Sequence, residues 1–178
     1  MRITGGILAG RRLQCPPGII RPAMDRMRES VFAALGGIEG ASFLDLFSGS
    51  GVIALEAASR GAAFIEAVER DARKRPVLLA NTAISRVRIN CRFMPVELYI
   101  KRAKTQCFDY IFCDPPFNYA YKSELVRSIA ASALACADTL FMLHYPHNES
   151  LKLDDISVDI RDRRLYGRSA VDFMKLSP

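Results

Sequence analysis

From residue 42 onward the chain alternates short apolar runs with longer helical segments, and that rhythm restricts it to one class of fold. Runs at 43–47, 64–69, 88–93, 108–114 and 139–145 read as strands, and the segments 52–60, 72–85, 96–103 and 122–136 read as helices. Such alternation implies an α/β architecture, a mostly parallel sheet joined by right-handed crossovers. Pro76 falls in the first turn of its helix, where a missing N–H is tolerated. After Asp154 the pattern changes. Ile156–Ile160 and Ala170–Met174 alternate polar and apolar residues on either side of the polar stretch Arg161-Asp162-Arg163-Arg164 and a turn at Gly167, which predicts a terminal antiparallel hairpin. Residues 1–22 are broken by Gly and Pro and read as an arm outside the core, with a short hairpin from Gly5-Gly6 to Leu13. Asp25 is expected to cap a helix running to about Leu35, with Val31, Phe32 and Leu35 on one face, and Gly36-Gly37 to end it. At 178 residues the natural reading is one domain, with 1–40 as arm and helix and 41–178 as the core.

The first strand ends in a glycine turn. Phe43-Leu44-Asp45-Leu46-Phe47 runs into Ser48-Gly49-Ser50-Gly51, and an Ala- and Leu-rich helix follows. Strand, tight turn and helix let backbone N–H groups and the helix N-terminus approach a ligand closely. About 20 residues past the glycines the next strand ends on Glu69, an acid suited to the hydroxyls of a ribose. Gly49-x-Gly51-x-x-Ala54 with Glu69 satisfies a relaxed dinucleotide fingerprint, and it also satisfies the loop that holds S-adenosylmethionine. Asp45 favours the second. A carboxylate inside the strand, four residues ahead of the first glycine, suits a cationic sulfonium amino acid better than a pyrophosphate.

A second motif, Asp114-Pro115-Pro116-Phe117, closes the apolar run Phe108–Cys113. It stands where a central strand runs out, which is where open α/β sheets bind ligands. It offers an acceptor carboxylate, a carbonyl on restricted backbone and a flat face for stacking. Those groups suit a planar ring bearing an exocyclic NH2. Asp-Pro alone is a common turn initiator, so the motif gains its meaning from the glycine turn upstream.

Composition narrows the partners. The net charge of +6 is concentrated at the two ends of the chain. Residues 1–30 hold six Arg against Asp25 and Glu29, while 31–160 are nearly neutral and 161–178 are cationic again. Arginine forks onto phosphates and stacks on bases, so Arg11, Arg12 and Arg21 are candidate RNA contacts. Cys15, Cys91, Cys107, Cys113 and Cys136 are an odd number without Cys-x-x-Cys spacing and read as free thiols. His144 and His147 have no ligand cluster beside them in sequence, so no metal is expected and both read as loop or strand-end histidines. With no long uncharged apolar stretch and no signal-peptide core, the expected location is cytoplasmic.

The N-terminal pattern is the most specific. Arg2-Ile3-Thr4-Gly5-Gly6, Gly10-Arg11-Arg12-Leu13 and Arg21-Pro22-x-x-Asp25-Arg26-x-Arg28-Glu29-x-x-Phe32, with both motifs above, resemble the RsmD family of bacterial 16S ribosomal RNA guanine-N2 methyltransferases. The resemblance spans essentially the whole chain. It implies a Rossmann-like methyltransferase fold with a seven-stranded, mostly parallel sheet, a C-terminal antiparallel hairpin and a short basic N-terminal extension. It implies S-adenosylmethionine as cofactor, held by Asp45, Phe47, Gly49, Gly51 and Glu69. It further implies a catalytic Asp114, Pro115, Pro116 and Phe117, and 16S rRNA in the small subunit or an assembly intermediate as substrate. A monomer is the default. Ala23-Met24 depart from the family's threonines, and Met94-Pro95 stand where an Asp or Asn usually meets the adenine amine, so no residue is assigned to that edge. Arg28 and Glu29 are read as an ion pair orienting their helix. An adenine-N6 DNA methyltransferase would need a target-recognition region that this length hardly allows. A protein-glutamine methyltransferase would carry Asn in place of Asp114. A nicotinamide-dependent dehydrogenase leaves Asp45 and Asp114 unexplained, and a non-catalytic RNA-binding protein would not need the intact tetrapeptide.

Overall fold

The computed structural model describes residues 1–15, 23–104 and 107–177. Seven strands form one sheet: β1 Ser42–Leu46, β2 Phe64–Val68, β3 Ile89–Arg92, β4 Tyr110–Cys113, β5 Leu140–Pro146, β6 Val158–Tyr166 and β7 Ser169–Leu176. Their order is β3-β2-β1-β4-β5-β7-β6, parallel through β5 and antiparallel where β7 joins β5 and β6. The helices are α1 Ala23–Leu35, α2 Val52–Ser59, α3 Arg75–Thr82, α4 Val96–Arg102 and α5 Lys122–Ala130. One face of the sheet carries α1, α2 and α3, and the other carries α4 and α5. This is the seven-stranded, mostly parallel architecture with a C-terminal antiparallel hairpin that the sequence implied. The chain winds outward from β1 to β3, then returns to place β4 on the other side of β1. That reversal leaves a crevice beyond the ends of β1 and β4.

The N-terminal segment is where the expectation of an arm outside the core fails. Its hairpin exists: Arg2 bridges Arg12 antiparallel, and the Ile3 N–H donates to the Arg11 carbonyl at 3.0 Å. But Ile3, Leu8 and Leu13 are buried in the same cluster as α2. Burying each contributes at most roughly 1.5–3 kcal/mol. The cause is α2 itself, whose eight residues are buried all round and therefore need cover on every side. The hairpin backbone also serves the two buried polar residues of α2. Thr4 N–H donates to Glu56 Oε1 at 2.6 Å and Leu8 N–H to Ser59 Oγ at 2.8 Å.

Arg28 ties this assembly together, and its partners differ from those expected. The guanidinium is fully buried and donates to Glu56 at 3.3 Å, to the Arg2 carbonyl at 2.6 Å and to Asp25 at 2.7 Å. Glu29 is exposed and takes no part. Asp25 lies in the first turn of α1, which starts at Ala23, so it acts there as an ion-pair partner and not as the expected cap.

Three boundaries also moved for local reasons. The expected helix 72–85 divides into a 3-10 turn, Ala72–Lys74, capped by Asp71, followed by α3, with Pro76 in its first turn. The expected helix 122–136 stops at Ala130, because the Ser132 hydroxyl donates back to the Ile129 carbonyl and accepts from Leu134 N–H. The strand expected at 156–160 runs on through the polar stretch 161–164, which lies in β6, where Arg163 forks onto the buried Asp172 of β7 and Arg164 reaches Ser30 of α1. Among the described residues no helix is long and apolar enough to cross a membrane.

Removing the cation from a buried pair leaves an uncompensated charge. Arg28→Ala is expected to lower unfolding free energy by about 3–5 kcal/mol in urea titration, whereas Glu29→Ala should change it by less than about 0.5 kcal/mol.

Candidate active site

The parallel registers align the strand ends into a single row. Leu46 pairs with Val68 and with Cys113, and Cys113 pairs with Leu143. One residue further along each strand stand Glu69, Phe47, Asp114 and His144. The glycine turn and the tetrapeptide, 63 residues apart from Gly51 to Asp114, therefore meet at the crevice between β1 and β4. The Asp114 N–H donates to the Leu46 carbonyl at 3.2 Å, and Phe47 packs edge-on against Tyr119 with ring centroids 5.4 Å apart.

Backbone geometry at the end of β1 is unusual. Phe47 has φ 62°, a left-handed conformation that costs a bulky residue free energy and concentrates at functional sites. It turns the chain so that Ser48 N–H reaches the Val68 carbonyl at 2.9 Å. Gly49 and Gly51 also have positive φ, for different purposes. A Cβ at Gly51 would lie 2.6 Å from Leu78 Cδ1, so that glycine lets the turn press against α3. At Gly49 a Cβ would meet only the Phe47 carbonyl, at 3.9 Å, so this part of the turn borders open space. Asn81 of α3 braces the turn from below by donating to the Ser50 carbonyl at 2.9 Å and pairing with Gln14 of the N-terminal segment.

Asp45 is buried beneath the turn. Its Oδ2 accepts from the Ser48 hydroxyl at 2.5 Å and from Ala54 N–H, in the first turn of α2, at 3.2 Å. It thereby does what Gly51, at the N-cap without a side chain, cannot do. A carboxylate already occupies the positive end of α2, and this disfavours a pyrophosphate there. Burial pushes the Asp45 carboxyl up to about 7. The hydrogen bonds from Ser48 and Ala54 oppose the rise, and the charges of Asp114 and Glu69 add to it. Glu69 joins the turn to the segment after β2 by accepting from Gly49 N–H at 2.9 Å and Asp71 N–H at 2.8 Å, with Lys74 3.3 Å away. Oε2 takes Gly49 and Lys74, whereas Oε1 takes only Asp71 N–H among the described residues, so Glu69 retains capacity at Oε1 for a hydroxyl donor.

In the tetrapeptide, Asp114 Oδ1 bonds to His144 Nδ1 at 2.8 Å, and the His144 ring packs edge-on against Phe117 with centroids 5.5 Å apart. Lys122 is buried and donates to the carbonyls of Phe117 at 2.9 Å and Tyr119 at 2.6 Å, with Glu149 2.7 Å away. Pro115 is buried and Pro116 exposed. Among the described residues nothing donates to the Pro115 carbonyl.

Sequence reasoning missed His144, Lys122 and Asn81. His144 read as an ordinary strand-end residue because its partner, Asp114, is fixed only by the pairing of β4 with β5. Arg11 and Arg12 are exposed on the N-terminal hairpin beside α2, outside the row of strand-end residues. Arg21 lies outside the described residues. Met94 is partly buried, and with Glu66, Tyr99 and Phe108 it lines a separate hollow of about 300 Å³ under α4. Among the described residues no group of three or more His, Cys, Asp or Glu could hold a metal ion.

A family model described as Conserved hypothetical protein 95 matches residues 1–175. The chain belongs to that family. Within it, Ribosomal RNA small subunit methyltransferase D of Escherichia coli K12 is 31% identical over 183 residues, covering 96% of this chain and 91% of the relative. The RsmD resemblance drawn from the N-terminal arginine pattern is thus borne out. Solved structures share the fold, among them two compared over nearly the full length of both chains. One is yhhF from Escherichia coli, with a TM-score of 0.88, 27% identity and coverage of 99% of this chain and 98% of that one. The other is a hypothetical protein of Thermus thermophilus, with a TM-score of 0.84, 30% identity and 99% coverage of both.

A folded-state pKa above the unfolded one means that ionisation opposes folding. For Asp45 the contribution to stability is intact below about pH 4 and is lost as pH rises to about 7. Asp45→Asn keeps an acceptor for Ser48 and Ala54 without this loss. The variant should therefore gain on the parent by up to about 4 kcal/mol between about pH 4 and pH 8, as read by urea unfolding at each pH.

Proposed function

We propose that the protein transfers a methyl group from S-adenosylmethionine to the exocyclic N2 amine of a guanine in 16S ribosomal RNA, within the small subunit or an assembly intermediate. The observation that carries the reading is the hydrogen bond from Asp114 N–H to the Leu46 carbonyl, which holds an amine-binding tetrapeptide against the glycine turn. In this reading residues 1–178 act as one unit, with 41–178 supplying the site and 1–40 its cover. The name of the Escherichia coli relative supports the substrate class.

The residues present fit a cationic cofactor. Asp45, Glu69 and Asp114 stand close enough for the latter two to perturb the first, and Gly49 faces open space. When bound, S-adenosylmethionine supplies a methyl already activated on positively charged sulfur. The chain's task is then alignment more than base catalysis. Asp45 fixes the turn and contributes negative potential beneath it, Phe47 and Gly51 set its shape, and Glu69 accepts ribose hydroxyls.

The guanine amine is a poor nucleophile because its lone pair is delocalised into the ring. Asp114 and the Pro115 carbonyl accept its two N–H bonds, favouring a pyramidal nitrogen and stabilising the positive charge that develops on it. Having no N–H, Pro115 and Pro116 add no competing donor. His144 occupies Asp114 Oδ1 and so directs Oδ2 to the amine. Phe117, held through its carbonyl by Lys122, stacks on the base. The surplus proton passes to Asp114 or water. A paired guanine leaves its stack at a cost of a few kcal/mol.

The direct test is transfer of labelled methyl to small subunits lacking the modification, with the labelled base then mapped. Label on guanine N2 is the expected result, and label on adenine or on protein would overturn the assignment. Asp114→Ala should abolish transfer while leaving S-adenosylmethionine affinity, measured by calorimetry, within a few-fold. Comparable loss of both would make Asp114 structural. Replacing Arg11 and Arg12 together with Ala should weaken RNA binding and lower the slope of log K against log salt by about 1–2. An unchanged slope would remove the hairpin from the RNA interface.

A further inference from the structure

Cys107 and Cys136 precede β4 and β5, at the end of the sheet opposite the Asp114 row. Nothing in the sequence pairs them, yet their sulfurs are 2.7 Å apart, well inside ordinary contact for two unbonded sulfurs. A disulfide bond itself spans about 2.05 Å. Cys107 is exposed and Cys136 half-buried, so small reagents can reach the pair.

The backbone holds both residues in place. Phe108 N–H donates to the Leu134 carbonyl at 2.9 Å, and the Thr139 hydroxyl donates to the Phe108 carbonyl at 2.7 Å. The turn from Cys136 to Thr139 is closed twice, by Thr139 N–H to the Cys136 carbonyl and by Cys136 N–H to the Thr139 hydroxyl, each at 2.9 Å. Bringing the sulfurs together therefore requires almost no further ordering of the chain. The other three thiols differ. Cys113 is buried, and the recorded partners of Cys15 and Cys91 among the described residues include no other cysteine.

We propose that Cys107 and Cys136 are a site of reversible oxidation, closing an internal disulfide when the protein meets a peroxide. The two thiols have unequal parts. The contact with Cys107, helped by the N–H groups of Asp138 and Thr139, holds the Cys136 thiol below its usual range. The same contact, with some burial, pushes Cys107 up. Cys136 is thus the nucleophile. Its thiolate attacks one peroxide oxygen, the O–O bond breaks, and hydroxide leaves to become water, giving a sulfenic acid on Cys136. Cys107 sulfur then attacks that sulfur, the S–O bond breaks, and the departing hydroxide takes up the Cys107 proton. Two thiols and one hydrogen peroxide become one disulfide and two waters. A small dithiol reverses the bond by exchange. Because the Asp114 row is at the far end of the sheet, methyl transfer survives oxidation.

The test treats the full chain with a small excess of hydrogen peroxide, alkylates it after denaturation and maps the peptides by mass spectrometry. The expected product is one linked pair, Cys107 to Cys136, lighter by two hydrogens and released by dithiothreitol, with Cys15, Cys91 and Cys113 alkylated. In C107S the sulfenic acid on Cys136 should persist and be trapped by dimedone, while in C136S Cys107 should remain fully alkylatable. Full alkylation of both residues in the treated parent would overturn the proposal. So would a link between two chains in place of the internal one.

Discussion

A carboxylate kept out of water at the end of β1 sets the terms for the rest of the site. Asp45 has no cationic side chain among its hydrogen-bond partners. It is held instead by a hydroxyl and by the N-terminus of α2. This arrangement is costly by itself, chiefly because burial strips the carboxylate of water and to a smaller degree because Asp114 and Glu69 bring like charge nearby. It becomes favourable when a positive charge enters. Preorganised negative potential of this kind distinguishes a sulfonium site from a pyrophosphate site built on the same strand–turn–helix frame.

The frame around that charge is rigid because each neighbour performs two tasks. Glu69 fixes the turn and keeps lone pairs for a ligand. His144 orients Asp114 and packs on Phe117. Lys122 donates to two carbonyls of the tight loop after the prolines and so ties that loop to α5. The loop residues do not rely on their own conformational preferences. Buried side chains on β5 and α5 hold them in place.

Much of this was legible in the sequence, and the missing part has a common cause. Hydrophobic period located five parallel strands, and the glycine and proline motifs marked which strand ends mattered. Local pattern does not reveal which strands are neighbours. His144 therefore escaped notice until β5 was seen beside β4, and Cys107 and Cys136 read as unrelated thiols. The N-terminal segment was misjudged for a related reason. Its Gly and Pro content suggests a loose arm, but Ile3, Leu8 and Leu13 find burial only against α2, a helix buried all round. The largely apolar sequence of that helix, with only Glu56 and Ser59 polar, was the available clue. Arg161–Arg164 stood outside the expected strand because charged runs seldom enter strands, and Asp172 across the ladder is what permits it.

The hairpin that covers α2 also constrains how the chain is made. It can close on itself early, since Ile3 and Arg11 are near in sequence. Its apolar side, however, has nothing to rest on until α2 has been synthesised, and Gln14 must wait for Asn81, 67 residues downstream. A nascent chain stalled before that point would present an unsheltered greasy ribbon, with Arg28 joined to Asp25 and the Arg2 carbonyl but still lacking Glu56. The hairpin thus finds its place only after residues well downstream of it have been made, and shielding by chaperones matters over that stretch of translation.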